Sequence, residues 1–219
     1  MPVASDHIGP TPDATPARTL SPRFATLPAE LNRRAIFLDR DGVLVKNIRR
    51  DDGTVGSPRS LADFHITSSI RRILRVAADA GFALIVVTNQ PDVSRGGLDG
   101  SILRSMHTQL LERIPSLDAI YTCTHDDNDK CACRKPRPGL ITTAAKDLGL
   151  RISESWIIGD RTTDILAGAN AHVNAICVPS QTGGMRAARI CGATIPHLHA
   201  ESLSDALTLA IGQGPPPLI

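Results

Sequence analysis

Ala35-Ile36-Phe37-Leu38-Asp39-Arg40-Asp41-Gly42-Val43 is the stretch on which the fold turns. Four apolar residues in a row suit a strand buried on both faces, as in a parallel sheet covered by helices on each side. Asp39 then sits at the carboxyl end of that strand, the edge at which open α/β sheets bind ligands. In an extended segment Asp39 and Asp41 point to the same side, and two such charges call for a cation nearby. Taken alone, the stretch also fits a strand ending in an ordinary polar turn, because Asp-Gly is a common turn pair.

The pattern recurs downstream. Residues 68–80 carry Ile70, Ile73, Leu74 and Ala77 at helical spacing, with Gly81 as a stop. A second buried strand, 82–87, runs into Thr88-Asn89-Gln90-Pro91. A helix over 98–113 and a weaker strand over 117–122 follow, then a helix over 140–148 stopped by Gly149. The fourth strand, 156–158, ends in Gly159-Asp160-Arg161-Thr162-Thr163-Asp164, and a helix over 164–171 follows. Beyond it come a strand at 175–178, a short helix at 185–191, an edge strand at 193–195 and a last helix at 202–211. Strands alternating with helices predict an α/β fold, a parallel sheet with helices on both faces. Right-handed crossovers bring all the polar strand ends to one edge.

Two regions stand outside this alternation. Residues 1–32 contain six prolines and no visible period, and read as a disordered or loosely attached tail ahead of a single domain over 33–219. Residues 44–65 are polar and read as a long loop near the carboxylate pair, with no room for a sizeable inserted cap domain.

Composition narrows the class. A net charge of +2 and 3% aromatic residues argue against a nucleic-acid surface, which needs a basic groove and stacking rings. The longest apolar run, 82–87, is too short to cross a bilayer, and the N-terminal stretch has no apolar core of the kind a secretory signal needs. A cytoplasmic protein, monomeric or weakly oligomeric, is the expectation. Of five cysteines, Cys123, Cys131 and Cys133 crowd beside His125 within eleven residues. Three thiolates and one imidazole suit tetrahedral Zn2+, and with no position left open the ion is expected to be structural, fixing the loop that carries Arg134 and Lys135.

The sheet edge collects Asp39, Asp41, Thr88, Asn89, Arg134, Lys135, Asp160 and Asp164. Carboxylates in such number need a divalent cation or bases, and oxygen-only ligands suit Mg2+. A hydroxyl, an amide and a lysine suit phosphoryl oxygens. One carboxylate can attack phosphorus while a second moves the proton.

These motifs, in this order, resemble those of the haloacid-dehalogenase (HAD) phosphatases: Phe37 to Val43, Val87 to Gln90, Lys135, and Gly159 to Asp164. The resemblance spans about residues 35–180. It implies that Asp39 is the nucleophile, Asp41 the general acid/base, and Thr88 and Lys135 the grip on the phosphoryl group. It also implies Mg2+ on Asp39, the Asp41 carbonyl and Asp160, with Asp164 in support. With the zinc loop and Thr88 to Gly96, the chain looks like the D-glycero-D-manno-heptose 1,7-bisphosphate phosphatases, with the histidinol-phosphate phosphatases sharing most features. Carried over by position, the substrate contacts are Asn47, Ile48, Arg49, Arg50, Thr88, Asn89, Gln90, Pro91, Arg134, Lys135 and Arg161. The basic segment 46–59, Pro91 and the proline-rich tail depart from that pattern, and a second phosphate would suit Arg49 and Arg50. A nucleic-acid 3′-phosphatase and an inactive HAD-like binding module are the remaining alternatives.

Overall fold

The computed structural model describes residues 16–22, 32–180 and 197–212. The strands are β1 (Ala17–Leu20), β2 (Ala35–Leu38), β3 (Ile48–Arg49), β4 (Val55–Gly56), β5 (Ala83–Asn89), β6 (Ala119–Cys123), β7 (Trp156–Gly159), β8 (Asn174–Cys177) and β9 (Leu198–His199). The helices are α1 (Ile70–Asp79), α2 (Gly100–Arg113), α3 (Gly139–Leu148), α4 (Thr162–Asn170) and α5 (Leu203–Gly212). A seven-stranded sheet runs β1-β6-β5-β2-β7-β8-β9 and is parallel except for β1.

The apolar run of β2 explains its central place. Ile36 and Leu38 join one hydrophobic cluster, with residues of α1, α2 and α5. Ala35 and Phe37 join the other, with residues of α3 and α4. All four are fully buried. The two-residue period of a strand therefore feeds two cores at once, which only a sheet covered on both faces allows. The chain winds outward from β2 through β5 and β6 on one side and through β7, β8 and β9 on the other. This reversal opens a crevice at the carboxyl end of β2.

The expected strands and helices from 68 to 178 are present, with ends shifted by a residue or two, and so is the last helix. The helix expected at 185–191 and the strand at 193–195 lie outside the described residues. Two features differ from the sequence reading. Part of the proline-rich segment is ordered: β1 pairs antiparallel with β6, Ala17 facing Thr122 and Leu20 facing Ala119. Arg18 pins it through Asp147 at 2.9 Å. An edge strand with one face in water needs no apolar run, so its sequence carries little signal, yet it covers the bare edge of β6. The loop 44–65 contains the β3–β4 hairpin, closed around Gly53 at φ 78°. Strands of two residues are too short to show a period. Among the described residues, no helix is long and apolar enough to cross a membrane.

Candidate active site

The ends of β2, β5 and β7 and the loop before α3 meet at the crevice. From β2 come Asp39 and Asp41, 6% and 4% exposed. The backbone turns sharply after them at Gly42, φ 92°. A side chain there would run into the Asp160 carboxylate and the Asn47 amide, so glycine lets these groups close in around the turn. From β7 comes Asp160, and from the first turn of α4 comes Asp164, whose Oδ2 accepts the Arg161 N–H at 3.1 Å. That bond ties Asp164 to the helix start, where a carboxylate is favoured.

Lys135 joins these carboxylates. Its Nζ lies 2.8 Å from Asp39 Oδ1, 2.5 Å from Asp164 Oδ1 and 2.8 Å from the Val87 carbonyl. Burial opposes its charge, but Asp164 and Asp39 more than compensate and raise its pKa. Asn89 sets the loop that carries it, accepting the Lys135 N–H at 3.1 Å and donating to the Lys135 carbonyl at 3.0 Å. Thr88 Oγ1 accepts from Gln90 Nε2 at 2.7 Å, which leaves its own proton for a ligand oxygen.

Oxygens of Asp39, Asp160 and Asp164 all lie within 4.8 Å of one another. Burial, then Asp164, raises Asp39 to about 7 against the pull of Lys135. Asp160 is raised by burial and Asp164. One lysine thus does not neutralise the group, and Asp160 Oδ1 is buried with no hydrogen-bond partner. A hard divalent cation on oxygen ligands fits these residues.

Asp41 is held differently. The adjoining Arg40 forks onto it, Nε to Oδ1 at 3.0 Å and Nη2 to Oδ2 at 2.9 Å. Gln90 Nε2 and Ser57 Oγ also donate to Oδ2, at 2.7 and 2.9 Å. Burial would raise its pKa, but Arg40 and these donors outweigh it and hold the carboxyl below its ordinary value.

Asp39, Asp41, Ser57, Asn89, Lys135, Arg161, Thr163 and Asp164 line the cleft. Burial works against the charge of Arg161, yet Asp39, Asp160, Asp164 and Asp41 keep its pKa raised. Other sequence-predicted contacts lie elsewhere. Gln90 is fully buried behind Asp41 and Thr88, and Asn47 is buried with Nδ2 3.4 Å from Ser180 Oγ. Ile48, Arg49, Arg50, Thr88, Pro91 and Arg134 are not on the cleft lining, although Thr88 is buried next to Asn89, which is. Arg50 donates to the Ser57 carbonyl at 2.9 Å, and Arg134 donates to Asp127 at 2.7 Å. Sequence reasoning missed Ser57, which the hairpin delivers to Asp41, and Thr163, which sits inside the motif Gly159 to Asp164. Only the second carried a signal.

Beside the cleft, Cys123, His125, Cys131 and Cys133 converge. Cys123 Sγ is 3.6 Å from Cys131 Sγ and 3.5 Å from His125 Nδ1, and Cys133 Sγ is 3.5 Å from Cys131 Sγ and 3.3 Å from His125 Nδ1. Zn–S bonds of about 2.3 Å in a tetrahedron put sulfurs roughly 3.7 Å apart, so the set fits Zn2+. A hydrogen bond from Cys133 pulls the Cys123 thiol down to about 5, and the same bond raises Cys133. Three sulfurs this close do not all ionise without a cation among them.

A HAD-hydrolase-like family model matches residues 132–206. A D-glycero-beta-D-manno-heptose-1,7-bisphosphate 7-phosphatase of Helicobacter pylori is 38% identical over 145 residues, 64% of this chain and 80% of its own. This chain belongs to the heptose bisphosphate phosphatase family of HAD-like hydrolases. The family member of Pseudomonas aeruginosa is 32% identical over 158 residues, 70% of this chain and 85% of its own. The fold matches that of the heptose bisphosphate phosphatase of B. bronchiseptica, with a TM-score of 0.69 and 24% identity over 82% of this chain and 98% of that one. Every side chain lining the cleft of this family member is charged or carries a hydroxyl or an amide.

Proposed function

We propose that the chain is a Mg2+-dependent phosphomonoesterase that works through an aspartyl-phosphate on Asp39. Its substrate is D-glycero-D-manno-heptose 1,7-bisphosphate or a similar sugar bisphosphate, from which it removes one phosphate. The observation that carries this reading is the meeting of Asp39, Lys135, Asp160 and Asp164 at one buried point. The Helicobacter pylori and Pseudomonas aeruginosa relatives bear the name of that activity, and the B. bronchiseptica enzyme is complexed with magnesium and phosphate.

Asp39 attacks phosphorus as the bond to the sugar oxygen breaks; Asp41, ionised in the free site beside Arg40, takes up a proton against the charge of the bound ester and passes it to that oxygen. Water then gives a proton to Asp41 and attacks the phosphoryl group, freeing phosphate and the Asp39 carboxylate. Lys135, the Thr88 hydroxyl and the Arg161 guanidinium hold the phosphoryl oxygens and offset the repulsion between an anionic nucleophile and an anionic ester. Asp39, Asp160 and the Asp41 carbonyl would hold the cation, which supplies further charge neutralisation on those oxygens. Cys123, His125, Cys131 and Cys133 would hold Zn2+, which would tie down the loop that carries Lys135.

A phosphate-release panel tests this. Heptose 1,7-bisphosphate, histidinol phosphate and a 3′-phosphorylated oligonucleotide are compared with and without Mg2+. Fast release from the heptose ester, dependent on Mg2+, is expected. Preferential release from histidinol phosphate or the oligonucleotide overturns the substrate, and release indifferent to Mg2+ overturns the mechanism.

A further inference from the structure

Among the described residues, Asp41 is the one carboxylate lining the cleft that an arginine forks onto with two hydrogen bonds. Arg40 is fully buried, and its third arm is also fixed: Nη1 lies 3.2 Å from His107 Nε2 on α2. The Phe64 ring stands 5.7 Å from the Arg40 guanidinium carbon. His107 is 3% exposed and does not line the cleft. An arginine can only donate, so Nε2 must accept and the imidazole proton must sit on Nδ1. Burial, then Arg40, lowers the His107 pKa to about 3, which keeps the ring neutral and able to accept.

The donors on Asp41 are unequally shared. Oδ2 takes Arg40 Nη2, Gln90 and Ser57, more than its two lone pairs can serve well, while Oδ1 takes Arg40 Nε alone. A proton on Asp41 therefore has room only on Oδ1. The fork reaches Asp41 from one side of the planar guanidinium, and His107 meets the remaining corner, Nη1.

We infer that His107 is a positioning residue for proton delivery: through Arg40 it orients Asp41 so that Oδ1 carries the proton to the departing sugar oxygen. This rests on Asp41 being the general acid of the proposed reaction. Without an acceptor at His107, one Arg40 N–H is left unpaired in an apolar core and the fork turns to find another partner. The cost falls on protonation of the leaving group, not on phosphate binding.

Leaving-group dependence reads this directly, because a nitrophenolate departs without a proton and a sugar alkoxide does not. The quantity is kcat/KM, which covers the steps up to departure of the leaving group, measured on heptose 1,7-bisphosphate and on p-nitrophenyl phosphate. His107→Leu is expected to lose roughly 10–100-fold on the sugar ester and less than about threefold on the nitrophenyl ester. His107→Gln, which keeps an acceptor, is expected to recover most of the loss. Arg40→Lys keeps the charge without the fork and should show the same selective loss, so it carries the test where His107→Leu does not fold. Equal losses on both esters, or no loss, overturn the inference while leaving the reaction standing. A wild-type protein inactive on both esters overturns the reaction and the inference together.

Discussion

Lys135 Nζ lies 2.8 Å from Asp39 Oδ1, although 96 residues separate them in the chain. The bond spans the sheet edge from the end of β2 to the loop before α3, and Asp164 closes it from the far side at 2.5 Å. Removing one member of such a buried group leaves charge without compensation.

Lys135→Met is therefore expected to lower kcat/KM by about a hundredfold or more and to cost about 3–5 kcal/mol of stability. Denaturant melts with and without Mg2+ check the second part. Mg2+ should return more stability to the variant than to the wild type, since the cation neutralises the carboxylates that Lys135 no longer meets.

Metal analysis of the purified protein should find about one zinc per chain. Cys131→Ser should find none, melt at lower temperature and lose activity, because the loop from Cys133 to Lys135 then keeps its hydrogen bonds and ion pairs, such as those to Asn89 and Arg137, without a metal to anchor them. Arg137 Nη1 reaches the Cys131 carbonyl at 2.6 Å. Absence of zinc in the wild type, or full activity after the metal is stripped, counts against a structural zinc.

Stability should fall with acid in a way that depends on His107. The ring binds a proton near pH 6.5 when unfolded and only near 3 when folded. Below 6.5 the unfolded chain holds more protons, so stability is present above that pH and drains away as pH falls toward 3. Between pH 7 and pH 5 the wild type should lose about 2 kcal/mol more than His107→Gln, measured by parallel denaturant melts.

Much of this was legible in the residues. The double burial of 35–38 was readable because four apolar residues in a row suit a strand covered on both sides, and the alternation downstream supplied the helices to cover it. Asp39, Lys135 and Asp160 were readable because polar groups follow apolar runs at strand ends that a parallel sheet must bring to one edge. The convergence of Cys123, His125, Cys131 and Cys133 was readable because they lie close together in sequence. What stayed hidden depends on contacts between distant segments. β1 has an exposed face and no period, and the β3–β4 hairpin is shorter than any period. Asn89 and Gln90 read as substrate contacts; the fold adds that Asn89, on the cleft wall, clamps the Lys135 backbone and that Gln90 supports Asp41. His107 reads as an ordinary core position on α2, and only the fold shows which guanidinium it meets.

The most direct test of the mechanism is phosphate release by Asp39→Asn on heptose 1,7-bisphosphate, with circular dichroism confirming the native fold. A loss of at least roughly a thousandfold in kcat is expected, since the amide cannot form the acyl phosphate. A folded Asp39→Asn protein that releases phosphate at the wild-type rate would contradict the mechanism.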